Sequence, residues 1–181
     1  MYISNKLKEN SISEYLLYMW QVEDTIRAFN LDVDTIAEKY IPHFKLDSGK
    51  SEELRGWYDS LIQMMREENV QHQGHLQINN NILILLTDLH LQLLKSPKHP
   101  FYSAAYYKAL PFIVELRGKS QQAQEKGEIE NCFDALYGLM LLRMQGKPVS
   151  AETATAISHI AKFIGMLSDY YKKDKAGEVE F

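Results

Sequence analysis

Leu76-Gln-Ile-Asn-Asn-Asn-Ile82-Leu-Ile-Leu-Leu86-Thr-Asp88-Leu-His90-Leu-Gln-Leu-Leu94-Lys95 is the most apolar stretch of the chain, and its reading decides the fold. It holds neither Gly nor Pro and is too long for an ordinary strand, so it predicts a helix over about 76–95. Apolar residues surround most of its circumference, the pattern of a buried helix, and we expect it at the centre of the molecule. Its longest uninterrupted apolar run is Ile82 to Leu86. That falls far short of the roughly 20 residues that span a bilayer.

Working outward, Ser96-Pro-Lys-His-Pro100 breaks the helix, and Pro100 suits the first position of the next. Ala104, Ala105, Tyr107, Leu110, Ile113 and Leu116 supply its buried side, with Pro111 expected to kink or split it. Polar residues 119–126 read as its exposed end, closed by Gly127. A further helix covers about Glu128 to Gln145, and Ser150 caps another that carries Ile157, Ile160, Ile164 and Leu167. On the other side, Ser51 is expected to cap a helix through Leu54, Tyr58, Leu61 and Met65 that ends by Gly74, with 45–50 as a loop. A short helix is expected over about Asp32 to Ile41, stopped by Pro42. Ser11-Ile-Ser-Glu14 is a capping box opening a helix that carries Leu16, Met19, Trp20 and Ile26 and stops at Asn30.

The expectation is an all-α, single-domain bundle of about seven helices with mostly antiparallel neighbours, residues 1–10 and 176–181 being poorly ordered. At 181 residues one domain is the natural count, and roughly 70% of the unfolded surface is buried at this size. Twenty basic against twenty-four acidic residues give a net charge of −4, against the basic surplus that a phosphate-backbone binder needs. Cys132 is the only cysteine, which suits a reducing compartment, and the first ten residues lack the apolar stretch of a secretory signal. A cytoplasmic protein contacting neither nucleic acid nor membrane is expected.

No motif carries a reaction. Glu67, Glu68, His72 and His75 cluster near one helix junction, with Asp88 and His90 further on, and Glu68 and His72 are spaced to share a helical face. Helical metal sites repeat their ligand pattern, however, and neither Glu-x-x-His nor His-Glu-x-x-His occurs, so no metal and no cofactor are expected. His159 reads as a packing residue, and Cys132, among Ile129, Phe133 and Leu136, as a small buried hydrophobe. Arg143 is either exposed at a helix end or paired with a carboxylate from another helix. Eleven tyrosines and two tryptophans outnumber what such a core needs, and adjacent pairs such as Tyr106-Tyr107 point about 100° apart, leaving one member for an interface.

Trp57-Tyr58, Gly74-His75-Leu76, Asp88-Leu-His90, Glu128-Ile-Glu-Asn-Cys-Phe133 and Leu136-Tyr-Gly138 together resemble a bacterial family of uncharacterised helical proteins, a domain of unknown function. The resemblance runs over nearly the whole chain. It implies an all-α fold in a bacterial cytosol and no activity, cofactor or site residues. Two functional expectations follow from the residues themselves. The first is a non-enzymatic interaction or scaffold protein that meets a protein partner or its own copies through an aromatic-rich face. The second is a small-molecule binder or enzyme with an apolar pocket between helices, its polar groups drawn from His72, His75, Asp88, His90 and Tyr107.

Overall fold

A computed structural model describes residues 2–181, and among them it contains helices and turns but no strand. Nine α-helices follow one another: α1 (Tyr2–Asn10), α2 (Ile12–Ala28), α3 (Val33–Lys39), α4 (Ser48–Glu67), α5 (Gln77–Lys95), α6 (Pro100–Gly118), α7 (Gln121–Glu125), α8 (Glu128–Met144) and α9 (Ala151–Lys175). A 3-10 turn, Ile41–Phe44, separates α3 from α4. The chain is one all-α domain. The two helices beyond the expected seven are α1, in the segment predicted to be poorly ordered, and α7, cut from what looked like the end of α6.

Local chemistry explains most boundaries. Ser11 caps α2 by accepting from the Glu14 N–H at 3.4 Å, as the capping box predicts. The Ser11 N–H bonds to the Leu7 carbonyl of α1 at 2.7 Å, which occupies the donor a box glutamate would take. Past Phe29, Asn30 and Leu31 adopt left-handed backbone, and the Leu31 N–H closes on the Ile26 carbonyl in a Schellman-type end. α4 starts a turn earlier than Ser51, because Asp47 accepts from the Lys50 N–H at 2.9 Å and caps residues read as loop. It stops at Glu67, before Gly74. Pro111 does not split α6. It lies on the exposed side, as does Tyr107, whose carbonyl a proline four residues on leaves without its helical N–H donor.

The hub is α9, which packs against α2, α5, α6 and α8. The expectation for α5 is therefore corrected. It buries Ile82, Leu83, Leu86, Leu89 and Leu93, but Ile78, Ile84, Leu85 and Leu91 stand on the surface. Surplus apolarity on α5 thus does not mark the centre of the fold. One contiguous core joins Leu16, Met19, Trp20 and Ile26 of α2 to Tyr58 and Met65 of α4, Tyr102 of α6, Phe133 of α8 and Phe163 of α9. The tail beyond Ala176 turns at Gly177 and runs back, its Glu180 carbonyl accepting from His99 Nε2 at 2.9 Å.

Candidate functional site

On α2 the buried stripe Leu16, Met19, Trp20, Ile26 includes a carboxylate, Glu23, which is fully buried. A buried carboxylate survives only where donors surround it, and three do. Oε1 accepts from the Leu76 backbone N–H at 3.0 Å and from Asn79 Nδ2 at 2.6 Å. Oε2 lies 2.6 Å from His75 Nδ1. The physical reason is at the start of α5. Its N-cap residue is Leu76, which has no oxygen to offer the free N–H groups of the first turn. Glu23 supplies a carboxylate from another helix at the positive end of the α5 dipole, and Glu68 adds a second by accepting from the Gln77 N–H at 2.6 Å.

Around this bond set the corner between α4 and α5 is fastened to α2. Arg27 donates to Asp24 Oδ1 at 2.9 Å, to the Val70 carbonyl at 3.0 Å and to the Gly74 carbonyl. Gly74 holds φ +84, which a side chain rarely adopts, so the turn that presents these carbonyls needs glycine. The Asp24 Oδ2 accepts from the Tyr137 hydroxyl of α8 at 2.7 Å. Burial, and then that carboxylate, push the Tyr137 hydroxyl well above the ordinary tyrosine range. Trp20 stacks on the His75 ring with centroids 4.0 Å apart and planes within 9°.

Chemically this arrangement orients one imidazole, as a carboxylate orients a base or a metal-bound histidine. Among the described residues, the His75 ring hydrogen-bonds only to Glu23. Among the described residues no three His, Cys, Asp or Glu side chains converge as a metal would require. Every oxygen of Glu23 is already engaged in holding the fold. These bonds staple the start of α5 to α2.

The five residues expected to line a pocket do not meet. His75 lies in the staple. His72, Asp88 and Tyr107 are exposed. His90 is buried further down α5, about 20 Å along the axis from Gln77 at about 1.5 Å per residue. There its Nδ1 lies 2.7 Å from the Tyr102 hydroxyl, and the rings of Tyr102, Tyr106 and Phe163 surround it. Burial pushes His90 down to about 4, and it pushes the neighbouring Cys132 thiol far above its usual range. His159 stacks on Phe112, as a packing residue should. Glu23, Trp20, Asp24, Arg27, Asn79 and Tyr137 were missed by sequence reasoning. The available signal was a carboxylate three residues beyond Trp20 and three before Ile26, on the apolar stripe of α2.

A family model described as a domain of unknown function (DUF4924) matches residues 1–178, so the chain belongs to that family. No curated protein and no solved structure matches it.

Proposed function

We propose that this chain, a member of that family, is a non-enzymatic helical interaction protein that binds a second copy of itself through the outer face of α5 and α6. Both helices lay their inner faces on α8 and α9 and turn large apolar side chains outward. Ile84, Leu85 and Leu91 on α5, with Phe101, Tyr107 and Val114 on α6, carry the reading: Phe101 is 82% exposed and Tyr107 63%. Contiguous apolar surface rimmed by polar groups marks contact sites, and aromatics are enriched at their centres.

Charge favours a second copy as the occupant. Asp88 and Glu115 are interspersed with Lys95 and Lys108 on the same exposed faces, so each copy offers both acid and base to the other. Among the described residues Asp88, Lys95 and Lys108 make no ion pair within the chain. Near His75, both carboxylate oxygens of Glu23 are taken up in bonds to the start of α5, while Trp20 Nε1, Arg27 Nε and Asn79 Oδ1 are buried without a hydrogen-bond partner.

Sedimentation equilibrium tests the proposal. Dimers or larger species are expected at micromolar concentrations, with Leu85→Asp and Tyr107→Asp each weakening association about tenfold or more. A parent chain that stays monomeric at high concentration overturns it.

A further inference from the structure

Beneath the outer face of α5 and α6 lies the buried seam that joins the two helices, and a histidine sits in it. His90 is 3% exposed, and its Nδ1 lies 2.7 Å from the Tyr102 hydroxyl of α6. Its ring centroid lies 4.8 Å from that of Tyr106 on α6 and 5.4 Å from that of Phe163 on α9. Resting on the self-association assigned to that face, we propose that His90 is an acid-operated switch for it. Neutral, His90 holds the face in its binding form; protonated, it loosens the seam and weakens the contact.

Sequence adjacency connects the seam to the surface. His90 is followed by Leu91 and Tyr106 by Tyr107, and both followers stand on the outer face. The Tyr107 ring lies 5.3 Å from that of Tyr106, so ring contacts run unbroken from exposed Tyr107 through Tyr106 to His90. A shift of Tyr106 therefore moves a residue of the face itself.

Charge supplies the reason for a shift. α5 packs against α2, α6, α8 and α9. α6 brings the Tyr102 and Tyr106 hydroxyls to the seam, α8 the Cys132 thiol and the Glu128 carboxylate, and α9 the Phe163 ring. Among the described residues no charged group of α2 acts on His90. Burial pushes both hydroxyls and the thiol upward, so they keep their protons at neutral and acidic pH. In the protonated imidazole both nitrogens donate, so the Tyr102 hydroxyl can only accept from it. A buried cation also needs a counter-charge. Glu128 is the one carboxylate that acts on His90, and it already accepts from the Tyr106 hydroxyl at 2.9 Å and faces Arg117 at 3.6 Å. Drawing Glu128 toward His90 takes it from Tyr106, and Tyr107 moves with its neighbour.

The sign follows from the neutral form being the binding form. Burial lowers His90 to about 4, so association weakens as pH falls toward that value. At pH 4 about half of the copies are protonated and about one pair in four is competent, which raises the dissociation constant about fourfold over its value at pH 7.

Two measurements test the switch. The first is sedimentation equilibrium of the parent chain and of His90→Asn at pH 7 and pH 4, with circular dichroism confirming that each is folded. Asn sets a side-chain oxygen near the place of Nδ1 and does not titrate, so its dissociation constant follows only exposed carboxylates such as Asp88 and Glu115. The constant of the parent is expected to rise about fourfold more than that of His90→Asn. Equal rises overturn the switch. The second measurement uses Leu85→Asp, a monomer on the reading of the face, and needs no association. Its Tyr107 ring resonances, assigned against Tyr107→Phe in the same background, should shift with the same midpoint as the His90 imidazole. A Tyr107 signal that stays still while His90 titrates overturns the switch as well. A parent chain that is monomeric at pH 7 instead overturns the self-association reading, and the Tyr107 titration then decides the coupling from seam to surface by itself.

Discussion

Glu23 shows how much one buried carboxylate can decide. Replacing it with alanine leaves the Leu76 N–H, Asn79 and His75 without their acceptor, and removing one partner of a buried charged set costs about 3–5 kcal/mol. Urea unfolding of Glu23→Ala should show a loss of that order, and Glu23→Gln, which keeps an acceptor oxygen, a smaller one. Equal stability of Glu23→Ala and the parent would remove the staple from the account. His90 makes a pH prediction. Burial lowers it to about 4 in the fold against an unfolded value near 6.5, so between those values the unfolded chain binds a proton that the native chain does not. Stability therefore falls as pH drops from about 6.5 to about 4, by an order of 3 kcal/mol from this group, and levels off below. His90→Leu should flatten that part of the denaturation profile. Cys132, fully buried with a raised thiol, should resist a thiol reagent at pH 8 until the chain unfolds. The apolar stripe beside Glu23 and the apolar setting of Cys132 were legible in the sequence, although Glu23 itself was passed over. Its partners were not legible, because Leu76 and Asn79 lie more than fifty positions from Glu23 and only tertiary packing brings them together.

Helices were read well wherever start and stop chemistry agreed with the apolar period, as at Ser11, Pro100, Gly127 and Ser150. Errors arose where two capping residues competed. Asp47 and Ser51 both precede the apolar stripe of α4, and the structure uses Asp47, whose Oδ1 accepts from the Lys50 N–H. Asp47→Ala should thus cost about 1 kcal/mol in thermal or urea unfolding, and Ser51→Ala nearly nothing. A reversed order would move the start of α4 back to Ser51. The α5 misreading has a different origin. Its apolar residues exceed what one buried face can use, and periodicity alone does not separate a helix enclosed by its own chain from one covered by another molecule. On the proposed function, the surplus on Ile84, Leu85 and Leu91 is surface kept for contact with a second copy.

Across the molecule, α3, the 3-10 turn and α4 pack on one another, while α9 gathers α2, α5, α6 and α8. Side chains such as Tyr58 and Met65 join the two parts into one core, and Arg27 and Glu23 fasten the α4–α5 corner across the seam. The two tryptophans report on either side: Trp20 lies in the core of α2, and Trp57 lies on α4 against Tyr58. In Trp20→Phe and Trp57→Phe chains, each with one remaining reporter, fluorescence and circular dichroism should lose their native signals at the same denaturant concentration, as one cooperative unit requires. Cutting the seam changes that expectation in a definite direction. With Arg27→Ala the Val70 and Gly74 carbonyls lose their donor, the α4–α5 corner loosens, and the Trp57 transition should move to lower denaturant ahead of that of Trp20. Separate transitions already present in the parent chain would mean two independently folding parts. Transitions that stay together in Arg27→Ala would mean that the apolar core alone couples them.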